Sequence, residues 1–118
     1  MIIAVDFDKT LSLGAQYPHI GEPNTELISI LNQLQALNHT IILWTCREDK
    51  ELNEAVEWLK TQGLTPDYVN CNVSWLGFDC RKIVADYYID DCAVHVHDMC
   101  KIRAILYDSM LKHNDCQG

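Results

Sequence analysis

At 118 residues and 48% apolar side chains, the chain has room for one packed domain, residues 1–118, and is too apolar for intrinsic disorder. Its 9 basic and 17 acidic residues leave a net charge of −8, which argues against extended nucleic-acid binding, since that needs a basic face. No apolar run approaches the ~18 residues of a membrane span, and Met1-Ile2-Ile3-Ala4-Val5-Asp6 lacks the basic flank of a signal peptide, so the expected location is cytoplasmic.

In chain order, short apolar runs alternate with helical periodicity, which predicts an α/β fold with a mostly parallel sheet. Ile2–Val5 is an unbroken apolar run suited to a strand covered on both faces. Residues 9–23, rich in Gly, Pro, Ser and Gln, are too long for an ordinary strand-to-helix connection and read as a flap. Asn24 is placed to cap a helix with Leu27, Ile28, Leu31, Leu34 and Leu37 on one side. Thr40–Trp44 reads as the second strand, and Leu52, Ala55, Val56 and Leu59 mark a helix that Gly63 stops. Asp67–Val69 begins a short third strand, followed by an irregular stretch to about Arg81. Tyr87–Ile89 makes a fourth strand and Ala93–Val96 a fifth. Asp98 then caps a last helix with Ile102, Ile105, Leu106 and Met110 facing inward.

The six cysteines, at 46, 71, 80, 92, 100 and 116, include no Cys-x-x-Cys pair and are read as buried thiols rather than a zinc or disulfide framework. Cys46 is singled out only for its position beside Thr45. His95-x-His97 shares one strand face but lacks a third ligand of obvious spacing, so ordinary strand-end histidines are expected. Trp44, Trp58 and Trp75 are assigned to the core or a groove wall, and Trp75-Leu76-Gly77-Phe78 to core contacts.

Polar residues collect where the predicted strands end: Asp6 after the first, Thr45 after the second, Asp90 and Asp91 after the fourth. Ligands of open parallel sheets bind beyond the carboxyl ends of the strands. A carboxylate is a competent nucleophile toward phosphorus, and it splits hydrolysis into two easier steps. Asp6 fits that role, and Asp8 is placed to protonate the leaving oxygen and later deprotonate water. Two anions facing a phosphate need countercharge, and Asp90 and Asp91 suit Mg²⁺, which takes one or two carboxylates plus water and phosphate oxygens. Thr45 and Lys82 would hold the phosphoryl group, and Arg47 would offer an anionic substrate a planar fork. Taken singly, each of these residues has an ordinary reading as a turn or surface side chain.

Asp6-Phe7-Asp8-Lys9-Thr10-Leu11 after an apolar strand resembles motif I of the haloacid dehalogenase-like (HAD) superfamily, Asp-x-Asp-x-Thr. Thr45 is similar to motif II, and Lys82 with Ala85-Asp86-Tyr87-Tyr88-Ile89-Asp90-Asp91 to motifs III and IV, all in order across residues 2–91. The resemblance implies a three-layer Rossmann-like fold and a Mg²⁺-dependent phosphatase working through an aspartyl-phosphate. Asp6 would be nucleophile and metal ligand, and Asp8 general acid/base with its carbonyl on the metal. Thr45 and Lys82 would bind phosphate, Asp90 would bind Mg²⁺ directly, and Asp91 would bind it through water or orient the ligands. Retention of Asp8 argues against dehalogenation. Lys9 departs from the usual glycine. Neither residues 9–23 nor residues 46–81 have room for a cap domain, so a capless member acting on a bulky phosphorylated substrate is expected. The alternatives are a catalytically idle phosphate- or partner-binding domain, and a phosphatase of nucleotides or nucleic-acid ends. Substrate class and oligomeric state are open at this level.

Overall fold

The computed structural model describes residues 1–78, 80–93 and 97–117, with the side chains of 109 and 112–117 left aside. Strand β1 (Ile2–Val5) carries β-branched residues that rise as a buried run through the middle of the molecule. The chain then forms a small antiparallel pair, β2 (Ser12–Leu13) and β3 (Glu22–Pro23), within the stretch read as a flap. Gly21 lies so close to this pair that a Cβ there would collide with the carbonyl of Leu13. Asn24 caps α1 (Thr25–Ala36) by accepting from the Leu27 N–H at 3.3 Å, and its amide donates to the Thr10 carbonyl at 3.0 Å. The cap residue of the helix therefore also anchors the flap.

Strand β4 (Thr40–Leu43), helix α2 (Asp49–Thr61) and strand β5 (Tyr68–Val69) follow, with Gly63 at φ +88° ending α2. Strand β6 (Tyr87–Ile89) and helix α3 (Met99–Gln117) complete the described elements. The four strands of the main sheet are all parallel, in the order β5-β4-β1-β6. An Asp pins each edge strand at its start. Asp67 accepts from the Ile41 N–H at 2.8 Å, and Asp86 accepts from the Ile2 N–H at 2.6 Å.

Alternation along the strands divides the core in two. Ile3, Val5, Ile41 and Leu43 face α1 and α2, where Ile28, Leu31, Ala55 and Leu59 complete one cluster with Phe7, Leu11 and Leu64. Ala4 and Ile42 face the other way and are covered by Val73 and Ile83 of the irregular segment 70–86. The result is α/β and Rossmann-like in three layers, with helices on one face and an extended segment on the other. Leu31 is fully buried in the larger cluster. Leu31→Ala should cost about 2–5 kcal/mol in chemical denaturation, through lost apolar contact and the cavity left behind.

Three expectations need correction. Ile105, Leu106 and Met110 of α3 are 53%, 62% and 56% exposed, not inward-facing. Neither core cluster draws on α3, and Ala4 and Ile42 on the second face are covered by Val73 and Ile83 instead. Trp75 and Phe78 are 63% and 62% exposed instead of packed in the core. Trp75 meets Tyr68 edge-on at 6.2 Å, whereas Trp58 does pack inward, against Phe7 at 5.6 Å. Cys46, Cys71, Cys92 and Cys100 are exposed free thiols and Cys80 is half-buried, because they fall in loops and on α3. The fifth strand expected at Ala93–Val96 falls on residues 94–96, outside the described residues, as does His95. Ala93 itself belongs to no strand.

Candidate active site

Parallel pairing of Val5 with Leu43 and with Ile89 brings the next residue of each chain segment to one level. Asp6, Trp44 and Asp90 thus stand side by side at the carboxyl edge of the sheet. Two backbone bonds fix that level: Asp6 N–H to Ile89 C=O and Trp44 N–H to Val5 C=O, both 2.9 Å. Burial pushes the Asp6 carboxyl up to about 6 from an ordinary 3.8, and the charges of Asp90 and Asp91 push the same way. N–H and O–H bonds from Phe7 and Thr10 offset part of that rise. Among the described residues, no lysine or arginine forms an ion pair with Asp6. Three carboxylates therefore share one edge, where the charge of Lys9 also reaches Cys92.

Thr10 joins the two acidic segments. Its buried hydroxyl donates to Asp6 Oδ2 at 3.3 Å and accepts from the Asp91 N–H at 3.2 Å. The motif contained Thr10, but sequence reasoning gave it no role. Lys9 adopts φ +64°, a strained conformation for a residue with a side chain, where the backbone reverses between Phe7 and Ser12. Asp90 opens the next turn, its carboxylate accepting from the Cys92 N–H at 3.0 Å. Hydrogen bonding to Asp91, and then that residue's charge, raise the Cys92 thiol above its usual range.

Asp8 and Arg47 form the tightest polar contact of the site. Arg47 Nε donates to Asp8 Oδ2 at 2.9 Å and one Nη donates to Oδ1 at 2.8 Å, a fork-on-fork pair. The remaining guanidinium N–H groups donate to the carbonyls of Pro18 at 3.1 Å, His19 at 3.2 Å and Glu51 at 3.4 Å. With only 1% of its surface exposed, Arg47 has all five donors engaged by protein. The fork expected to grip an anionic substrate grips Asp8 instead, because the flap closes over it.

The Thr45 N–H, expected to hold phosphate, donates to Asn70 Oδ1 at 2.8 Å. The Thr45 hydroxyl accepts from the Arg47 N–H at 3.2 Å, which leaves its own hydrogen available. Asn70, at φ +53°, is a residue that sequence reasoning missed, and only its place after a short apolar pair hinted at a turn. Lys82 is exposed and its ammonium pairs with no carboxylate among the described residues. Its backbone carbonyl accepts from Asn72 Nδ2 at 3.1 Å and from the Cys80 thiol at 3.2 Å. The structure thus gathers Asp6, Asp8, Thr10, Arg47, Asp90 and Asp91, with Thr45 at their margin, while Lys82 makes no contact with them.

Asp90, Asp91 and Cys92 bring one donor atom each within 4.8 Å of one another, and with Asp6 beside them the carboxylate oxygens suit Mg²⁺. Two concavities, one along α1 to Gln62 and one along the start of α2, include none of these residues. Trp44, 41% exposed, leans on Tyr88 at 5.7 Å beside the open edge.

Fold and site together define a Rossmann-like α/β protein with an acidic cluster at the carboxyl edge of a parallel sheet. No protein-family model matches the chain, and no curated protein does. A solved structure, that of the conserved protein coded by a locus of Bacteroides thetaiotaomicron, is 38% identical over 92% of this chain and 91% of that one, with a TM-score of 0.71. The chain belongs to the family of that conserved protein. No helix among the described residues is long and apolar enough to cross a membrane.

Proposed function

We propose that this protein is a magnesium-dependent phosphohydrolase, a capless member of the HAD-like superfamily, that acts through an aspartyl-phosphate on Asp6. The observation that supports the reading most is the setting of Asp6 at the sheet edge, where burial first, and then the charges of Asp90 and Asp91, lift its carboxyl to about 6. Asp6, Asp90, Asp91 and the Asp8 carbonyl would hold Mg²⁺, which when bound would screen the nucleophile from the phosphate it attacks.

In the first half-reaction an Asp6 oxygen bonds to phosphorus while the ester bond to the leaving group breaks. Asp8 supplies the proton to the departing oxygen. In the second half-reaction water attacks the same phosphorus, Asp8 takes its proton, and the bond to Asp6 breaks to release phosphate. The free Thr45 hydroxyl hydrogen, together with Lys82, would steady the phosphoryl oxygens. The open edge, flanked by an exposed Trp44, suits a bulky phosphorylated substrate better than a small enclosed one. Exposed unpaired thiols suit a reducing, cytoplasmic setting.

A second reading, a catalytically idle phosphate-binding domain, has one observation in its favour. Both oxygens of Asp8 are already engaged by Arg47. Hydrolysis of a generic aryl phosphate separates the two. Turnover that needs Mg²⁺ and stops with EDTA is the expected result. No turnover, with Mg²⁺ and inorganic phosphate still bound, would establish the idle domain instead.

A further inference from the structure

Arg47 is nearly inaccessible to solvent, yet it touches three separate segments. Through the Nε edge it holds Asp8 by both oxygens, at 2.9 and 2.8 Å. Through its other donors it holds the Pro18 and His19 carbonyls of the flap, and the Glu51 carbonyl in the first turn of α2. Its guanidinium carbon lies 4.8 Å from the Phe7 ring centre and 5.2 Å from that of Tyr17, so aromatic residues of motif I and of the flap both line it. A lysine could balance the charge of Asp8, but it could not make this planar set of contacts.

We propose that Arg47 is a positioning residue that couples the flap at 16–21 to the orientation of the Asp8 carboxylate. Because one rigid plane carries the contacts to Asp8 and to the flap carbonyls, displacing the flap tilts or releases Asp8, and freeing Asp8 loosens the flap. Asp8 keeps 30% of its side chain exposed, so the grip from within leaves an outward lone pair for proton transfer. The kinetic part of the inference rests on the phosphohydrolase reading; the coupling itself does not.

Hydrogen exchange tests the coupling without substrate. The N–H groups of His19, bonded to the Gln16 carbonyl at 2.9 Å, and of Gly21, bonded to Ser12 Oγ at 2.8 Å, report on the flap. In both Arg47→Lys and Asp8→Asn these amides should exchange about tenfold faster or more, while sheet and α1 amides stay unchanged. Asp8→Asn is isosteric at a part-exposed position and decides the matter if the Arg47 variant fails to fold. Unchanged flap exchange in Asp8→Asn overturns the proposal. In turnover of an aryl phosphate, Arg47→Lys should lower kcat by about 10–100-fold with little change in KM. A raised KM at unchanged kcat would overturn it too, by making Arg47 a substrate contact. An inactive wild type with a coupled flap would sink only the phosphohydrolase reading.

Discussion

Asp6→Asn should abolish turnover, by at least about 10³-fold, and yet stabilise the metal-free protein above pH 6. The loss follows because an amide does not replace a carboxylate as nucleophile. The gain follows from the raised carboxyl of Asp6, at about 6 against 3.8. A folded state with the higher value binds more protons than the unfolded chain between those two pH values. Stability from this group is therefore complete below about 3.8 and is lost as pH rises through about 6. Asparagine carries no charge for burial, or for Asp90 and Asp91, to disfavour, so it escapes that loss. Because Asp6 is only half-buried, solvent screening reduces the effect, and a Tm gain of about 3–6 °C is expected at pH 8 in EDTA. At pH 4 the difference should largely vanish. A Tm for Asp6→Asn at or below wild type at pH 8 would show that burial and neighbouring charge do not disfavour the Asp6 carboxylate.

The second large effect concerns Asp8→Asn with an activated aryl phosphate. Such a leaving group departs without a proton, so the first half-reaction should survive the substitution. The second needs a base to activate water, and kcat should fall by about 10²–10⁴-fold. Product should appear as a burst of one equivalent of aryl alcohol per active site, followed by slow turnover. Protein quenched during the slow phase should carry one phosphoryl group on Asp6. A uniformly slowed reaction without a burst would mean that Asp8 is required before phosphorus is attacked, or that Asp6 is never phosphorylated.

Much of this architecture was legible from local pattern. Ile2–Val5 and Thr40–Leu43 are apolar runs long enough to act as central strands, and they do. Asn24 and Gly63 carry conformational signals of their own and bound helices as expected. Asp6 and Asp90 were legible as neighbours because strand ends in a parallel sheet share one edge. What was hidden depends on which distant partner reaches a side chain first. Arg47 and Asp8 are 39 residues apart, and spacing gave no sign that the flap would fold across the guanidinium. The exposure of Trp75, Phe78 and the α3 stripe has a similar origin. Periodicity does not say which apolar residues of a segment turn inward, and here Val73 and Ile83 do so while Trp75 and Phe78 stay out. Asn70 takes the Thr45 N–H by virtue of a backbone conformation that no periodicity encodes.

Asp67 and Asp86 give the molecule a division of labour. Each clamps an edge strand at the end of the sheet opposite Asp6 and Asp90, through one short bond to a neighbouring strand's amide. At the other pole alignment is held by the backbone of Asp6 and Trp44, so the side chains there are relieved of that task. Side-chain replacements around Asp6, Thr45 and Asp90 can then alter chemistry while the scaffold keeps its register.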